Sequence, residues 1–128
     1  MKKITSEWVE KAEGDYKVAL RESAAQDPVY DVVCFHCHQC LEKYLKAILV
    51  ENNVEFEKIH DLEALMYICK EFLPALERNR ENLIWLTQFS VRVRYPGFSA
   101  KKKDTQKALS VVRKLRTIIR NYFQLEAN

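Results

Sequence analysis

A chain of 128 residues, 48% of them hydrophobic, is long enough to bury a core, so we expect one domain spanning residues 1–128. No apolar run approaches the roughly 20 residues of a membrane span, and Met-Lys-Lys-Ile-Thr leads into polar sequence, so we expect neither a signal peptide nor a membrane anchor. The net charge of +3 conceals an uneven distribution of charge. After residue 91 there are ten Lys and Arg but only two acidic residues, whereas residues 1–91 contain eleven Lys and Arg and sixteen acidic residues. Such a segregation favours an anionic ligand or an acidic partner.

Glycine and proline are scarce, with two and three residues, and almost no segment alternates apolar and polar residues. Both features predict an all-α protein, specifically an antiparallel up-and-down bundle of four to five helices. Three of the four cysteines crowd into Cys34, Cys37 and Cys40, which is not the spread of a disulfide framework. We therefore expect reduced thiols and a cytoplasmic location.

The first predicted helix runs from about Ser6 to Ala24 and is capped by Thr5 or Ser6. The second runs from about Val29 to Glu51. Its broad apolar arc makes it the central helix of the bundle and comprises Val33, Cys34, Cys37, Leu41, Tyr44, Leu45 and Ile48.

Beside this arc, the second helix carries a stripe of Phe35, Gln39, Glu42 and Lys46. His36 and Lys43, in contrast, are expected to face away from the core. Glu42 and Lys46 form an ordinary i,i+4 pair unless this flank lines a dimer cleft, in which case Gln39, Glu42 and Lys46 become ligand groups.

The third predicted helix begins at His60-Asp61, either of which can cap it, and Pro74 ends it or begins the next turn. The fourth, from about Glu77 to Arg94, is apolar almost all round, which suggests a homodimer interface. The fifth, from about Asp104 to Leu125, carries one apolar stripe opposite basic residues.

The stretch SVRVRYPGFSAKKKD, residues 90–104, gathers cations at a turn. Helical periodicity places Arg94 on one face with Leu83, Thr87 and Ser90, which makes it a better candidate than Arg92 for a partly enclosed site. A guanidinium donates two hydrogen bonds to a phosphate, and Tyr95 beside it can stack on a base. Alternatively, the arginines only complement a helix C-terminus and the lysines that follow are solvated.

Four segments in this order resemble the HEPN family, the higher eukaryote and prokaryote nucleotide-binding domains. They are FHCHQCLEKYLKAILVENN, IHDLEAL, RYPG and a terminal basic amphipathic helix. The matching positions are Gln39, Glu42, Lys43, Leu45, Lys46 and Ala47 in the second helix, then His60-Asp61-Leu62, then Arg94-Tyr95-Pro96-Gly97.

This resemblance implies a homodimeric bundle that is often encoded beside a minimal nucleotidyltransferase, in many cases as a toxin and its antitoxin. Many members of the family are metal-independent ribonucleases that use an Arg followed, after four to six residues, by a His. Here no histidine follows His60, so neither Arg92 nor Arg94 has that partner. The departure puts the family's nuclease chemistry in doubt, because acid–base work on a ribose hydroxyl needs a group such as imidazole.

A zinc site is the competing interpretation of the cysteine cluster, since Cys34, Cys37 and His38 share a helix face that Cys69 or His60 can complete. No second paired-ligand segment exists, so we favour core thiols and expect neither a metal nor another cofactor. His60 is more simply a cap than a general base, although a ligand role stays open.

The sequence therefore predicts a nucleotide- or RNA-binding domain that partners a separately encoded nucleotidyltransferase. The expected ligand-binding residues are Arg92, Arg94, Tyr95, Lys101, Lys46 and His60. The alternatives are a ribonuclease toxin that replaces the missing histidine with another group, and a protein-interaction module without a ligand.

Overall fold

The computed structural model describes residues 1–128 as a bundle of helices joined by short connections. Its five α-helices are α1 (Lys3–Ser23), α2 (Tyr30–Glu51), α3 (Leu62–Cys69), α4 (Arg80–Thr87) and α5 (Lys102–Tyr122). Two 3-10 segments, Pro74–Asn79 and Arg92–Arg94, lie on either side of α4. The predicted all-α bundle is therefore confirmed.

Helix α2 is the centre of the bundle and packs against α1, α3, α4 and α5. Every residue of its predicted apolar arc is buried, from Val33 to Ile48, and one continuous core surrounds it. Burial of these side chains drives the fold, since each large aliphatic residue contributes about 1.5–3 kcal/mol of transfer free energy.

Helix α1 begins at Lys3, so the prediction that Thr5 or Ser6 caps it is wrong. Thr5 lies inside the helix, and its hydroxyl donates to Glu51 Oε1 at 2.8 Å. The same carboxylate oxygen accepts from the Lys2 backbone N–H at 3.0 Å. The start of α1 is thus fixed by the end of α2, a tertiary contact that outweighs the local capping preference of a threonine.

The cap of α3 follows one of the two predicted options. Asp61 Oδ1 accepts from the backbone N–H groups of Glu63 and Ala64, at 3.0 and 3.4 Å. His60 precedes the cap and leaves its side chain free for other contacts. This arrangement satisfies two of the amide groups that every helix start leaves without partners.

The fourth predicted helix, Glu77–Arg94, is not continuous, and this prediction is wrong. Helix α4 ends at Thr87, whose hydroxyl donates to the Leu83 carbonyl and accepts from the Leu62 backbone N–H at 3.1 Å. The chain then runs through turns to Tyr95, which is extended, as a residue before proline prefers. Arg94 therefore does not share a helical face with Leu83, Thr87 and Ser90.

The break in this segment also removes the premise of the predicted dimer interface. Leu83, Leu86 and Phe89 are buried inside the chain itself. Within residues 77–94, the large apolar side chains that are substantially exposed are those of Ile84 and Val91, at 41% and 50%. A homodimer stays a prediction that rests on a smaller surface than the sequence suggested.

Helix α5 begins two residues before the predicted Asp104 and ends at Tyr122, three before the predicted Leu125. Its predicted apolar stripe faces α2, with Ala108, Val112 and Leu115 among the buried residues. None of the helices combines the length and the hydrophobicity that crossing a bilayer requires.

Candidate functional site

Arg94 lies against the first half of α2. Its guanidinium carbon is 5.1 Å from the centre of the Phe35 ring, a cation–π contact. The 3-10 turn Arg92–Arg94 and the extended Tyr95 carry the chain past this point, and Gly97 then turns it at a φ of +95°. The Arg94 guanidinium makes no ion pair within the chain, so its N–H groups are free to donate to a ligand.

A cavity of about 230 Å³ opens beside this contact. We call it the Arg94 cavity, and its lining residues are Asp31, Val32, Phe35, His36, Val93 and Arg94. Its volume is below the roughly 300–1,000 Å³ of sites that enclose a whole small molecule. It can therefore hold a phosphate with part of a sugar, while the rest of a nucleotide lies outside.

The start of α5 is attached to the same end of α2. The Ala100 backbone N–H donates to Asp31 Oδ1 at 2.6 Å, and the Lys101 backbone N–H donates to Asp104 Oδ2 at 2.8 Å. Lys101, Lys102 and Lys103 consequently stand at the N-terminus of α5, where the helix dipole is already positive. Such a local excess of positive charge favours an anion.

The other two predicted site residues of this segment are exposed. Arg92 stacks on Phe98, with its guanidinium carbon 4.6 Å from the ring centre. Tyr95 is 60% exposed, so its ring face is accessible. Arg92, Arg94 and Lys101 take part in none of the ion pairs of the structure.

His36 and Lys43 do not face away from the core, and that prediction is wrong. Both contact Asp15 of α1, a carboxylate that is only 8% exposed. His36 Nδ1 lies 2.8 Å from Asp15 Oδ1, and Lys43 Nζ lies 2.5 Å from Oδ2. The sequence feature that could have indicated these contacts is Asp15, because it is an acidic residue on the same face of α1 as the buried Ala12 and Ala19 and therefore needs polar partners.

Lys46 and His60 meet at a second buried carboxylate, Glu42, which is 4% exposed. His60 Nδ1 is 2.6 Å from Glu42 Oε1, and Lys46 Nζ is 3.6 Å from Oε2. Lys46 is itself buried, with its amine about 6 Å from the ring centres of Trp8 and Phe56. These two predicted site residues therefore lie together, yet neither lines the Arg94 cavity.

The backbone of His60 is also fixed, because His38 Nε2 lies 2.8 Å from the His60 carbonyl oxygen. Burial lowers the pKa of His38, so this imidazole is neutral and Nε2 donates to that carbonyl. His38 thus anchors the loop before α3 to α2.

Comparison with known families identifies the chain, since the HEPN domain matches residues 5–122. The chain belongs to the HEPN family. No curated protein and no solved structure matches it. Membership of the HEPN family supports a function related to nucleotides or RNA in general, and the match includes all residues of the Arg94 cavity.

The cysteines of this HEPN domain are core residues, as predicted. All four are free and buried. Burial raises the pKa of the Cys34 and Cys69 thiols to about 12 and that of Cys37 higher still, so these sulfurs are neutral and unreactive at pH 7. No group of three or more His, Cys, Asp or Glu side chains lies close enough together to hold a metal ion.

Proposed function

We propose that this HEPN domain binds the phosphate of a nucleotide or an RNA strand at Arg94. The observation that carries the proposal is the Arg94 guanidinium itself, which lies on Phe35 beside the cavity and has no carboxylate within ion-pair distance. An arginine held by stacking loses little conformational freedom on binding, and its planar fork matches phosphate oxygens.

The surrounding residues supply charge and a stacking surface. Residues 92–107 contain six Lys and Arg but only one acid, Asp104. Lys101 and Arg92 add electrostatic attraction, and the exposed Tyr95 offers its ring to a base next to the bound phosphate. This set favours an anionic ligand that extends beyond the small cavity.

Lys46 and His60 belong to the proposal as a second contact for a longer ligand. Glu42, which holds both, follows Phe35 on the same face of α2 by seven residues, or about 10 Å along the helix axis. The side chain of His60 is exposed, whereas that of Lys46 is buried. We therefore expect His60 to contact an RNA strand and Lys46 to act by holding Glu42.

Binding should be measured by titrating labelled RNA, ATP and GTP into the wild type, Arg94→Ala and Arg113→Ala. Arg113 is an exposed arginine in the middle of α5, so its removal matches the change in net charge without touching the cavity. We expect Arg94→Ala to weaken binding about 10- to 100-fold, because a charge-assisted hydrogen bond contributes about 1.5–3 kcal/mol. Arg113→Ala should change affinity by less than about threefold.

Equal affinities for Arg94→Ala and Arg113→Ala would show that only overall charge attracts the ligand. If the wild type bound none of the three ligands, the chain would instead be a protein-interaction module. Circular dichroism of each variant verifies that a loss of binding does not come from unfolding.

We further propose that the domain is a homodimer and the partner of a separately encoded nucleotidyltransferase in a toxin–antitoxin-like pair. The exposed Ile84 and Val91 offer an apolar contact, and the positive charge after residue 91 offers a surface for an acidic partner. Sedimentation velocity should give twice the 15.1 kDa chain mass, and Ile84→Glu should halve it.

The partner is tested separately, by co-expression with any nucleotidyltransferase encoded beside the gene. We expect the two proteins to purify together and the partner to relieve any growth arrest that the HEPN domain causes. Independent purification of the two proteins at low salt would contradict the pairing.

A further inference from the structure

Another cavity lies between α1 and α5, and none of its residues lines the Arg94 cavity. Its volume is about 680 Å³, within the roughly 300–1,000 Å³ of sites that enclose a whole small molecule. We call it the Arg120 cavity, and its charged lining residues are Glu10, Glu13, Lys17, Arg21, Arg116 and Arg120. The two cavities are therefore separate candidate sites on the same domain.

One wall of the Arg120 cavity contains an arginine that the chain already holds. Arg116 is 5% exposed, and its Nε and Nη2 donate to the two Glu13 carboxylate oxygens at 2.8 and 2.7 Å. Its guanidinium also lies over the Tyr16 ring, 4.4 Å from the ring centre. Arg116 thus fixes this wall and neutralises the charge of Glu13, but most of its donors have partners within the chain.

Arg120, one helical turn further along α5, keeps donors available. Its Nε donates to the Glu126 carbonyl, and its Nη1 donates to the Tyr44 hydroxyl at 3.0 Å and lies 3.7 Å from Glu13 Oε1. Nη2 donates to no group of the chain, and it is accessible to solvent, since Asn79 Oδ1 alone is a buried atom without a partner. Because two of its three nitrogens are held, Arg120 loses little conformational freedom when Nη2 binds a ligand.

The opposite wall carries two cations that the chain does not use. Lys17 and Arg21 are exposed and lie one turn apart on α1, and neither takes part in an ion pair. Four Lys and Arg against two Glu give the lining a formal charge of +2. A ligand with two negative charges balances this excess.

The rest of the lining suits a hydrocarbon body. Val9 and Leu20 supply aliphatic surface, and the Tyr16 ring lies beside them. Gly14 contributes no side chain, and a Cβ at this position has no atom within 4 Å, so the space extends to the backbone of α1. Apolar surface with a few polar groups at defined positions is typical of sites that bind small molecules.

We propose that the Arg120 cavity binds a small dianion with a hydrocarbon body, either a dicarboxylate or a phosphate monoester. Arg120 donates to one anionic group through Nη2, and Lys17 and Arg21 pair with the other from α1. The hydrocarbon between the two groups contacts Val9 and Leu20. The proposal is independent of phosphate binding at Arg94, because the two cavities share no residue.

The probes are phthalate and phenyl phosphate, two aromatic dianions, with the monoanion benzoate as the control ligand. Calorimetric titration of the wild type is done at about pH 8, because a phosphate monoester has a second pKa of about 6. We expect a Kd of about 1 mM or tighter for at least one dianion, and at least about tenfold weaker binding of benzoate, which lacks a second charged group. The dianion that binds more tightly identifies the source of the charge as carboxylate or phosphate.

Amide shifts in ¹H–¹⁵N spectra of the wild type locate the bound dianion. We expect the largest shifts in residues 9–21 of α1 and 116–120 of α5, which contain the lining of the cavity. Shifts confined to residues 31–36 and 93–94 would place the dianion in the Arg94 cavity and overturn the inference. This measurement uses the wild type alone, so it is decisive even if a variant fails to fold.

Substitutions test the two walls separately. Arg120→Ala should weaken binding at least about tenfold, because it removes a charge-assisted hydrogen bond. Replacing Lys17 and Arg21 together by alanine should weaken binding about fivefold, since exposed ion pairs contribute less. Arg113→Ala removes an exposed charge of α5 outside the cavity and should stay within about twofold of the wild type.

Three further results would overturn the inference. A wild type that binds neither dianion would show that the cavity holds only water. Benzoate that binds as tightly as the dianions would show that the two walls do not act together. Equal weakening by Arg113→Ala and by the Lys17 and Arg21 replacement would show that overall charge alone attracts the anion. None of these results bears on RNA binding at Arg94, and a failure of that binding would leave the Arg120 cavity unaffected.

Discussion

Two buried acidic side chains, Asp15 and Glu42, each bind two basic side chains. Asp15 and Glu42 each pair with one histidine and one lysine: Asp15 with His36 and Lys43, and Glu42 with His60 and Lys46. A buried carboxylate with two such partners avoids the high cost of an unpaired charge. The Glu42–Lys46 pair is predictable from the sequence because its spacing is local, whereas the pairing of Asp15 with His36 is not, because the two residues come from different helices.

His38 gives a prediction about stability and pH. Its folded pKa is lowered by burial, so the unfolded chain binds a proton more readily than the folded one as the pH falls through about 6.5. The free energy of unfolding should therefore keep its full value above this pH and decrease below it, by up to ~1.4 kcal/mol per pH unit.

The measurement is urea unfolding of wild type and His38→Gln between pH 5 and 7.5. The glutamine amide can still donate to the His60 carbonyl but does not titrate. The wild type should lose more stability than His38→Gln over this range, while titration of other groups cancels in the comparison. Parallel pH curves for the two proteins would show that His38 is protonated without cost in the folded state.

At the scale of elements, the helices whose apolar faces are buried agree with the sequence prediction. Helix α2 was predicted to within one residue at its start, because its apolar arc continues without a break. The turns after α4 were not predicted, because the apolar residues Val91 and Val93 are spaced as on a helix although the chain there makes turns. The periodicity shows which residues are apolar but not where the helix ends. The helix ends earlier because Thr87 makes contacts outside it and because Pro96 favours an extended conformation at Tyr95.

The cap of α3 is open to a direct test. Asp61→Ala should destabilise the protein by about 1 kcal/mol, since it leaves two backbone N–H groups at the helix start without their acceptor. Asp61→Asn keeps an accepting oxygen and should cost less than half as much. Equal effects of the two substitutions in urea unfolding would mean that charge, and not the hydrogen bonds, makes the contribution.

The two glycines should respond to alanine in opposite directions. A Cβ at either position has no atom within 4 Å, so steric clash affects neither. Gly14 lies inside α1, and Gly14→Ala should stabilise the protein by about 0.5–1 kcal/mol. Gly97 has a φ of +95°, which other residues rarely adopt, so Gly97→Ala should destabilise it by about 1 kcal/mol or more. A stabilising Gly97→Ala would show that this turn relaxes freely.

For the whole molecule, the distribution of charge connects the fold to the proposed function. The basic residues after residue 91 were evident in the sequence, but their convergence on α2 was not. It depends on the Ala100–Asp31 hydrogen bond and on the contact of Arg94 with the Phe35 ring, which join residues 69 and 59 positions apart in the chain. Contacts between such distant segments follow from packing of the bundle and have no local sequence signature.

The central claim is that Arg94 contacts a phosphate, and the salt dependence of RNA affinity tests it most directly. For single-stranded RNA, log K falls with log salt concentration by about 0.7 for each phosphate contact. We predict that Arg94→Ala lowers both the affinity and this slope, the latter by about 0.7, whereas Arg113→Ala leaves both close to the wild-type values. An Arg94→Ala protein with the wild-type slope and affinity would contradict the assignment of Arg94 as the phosphate-binding residue.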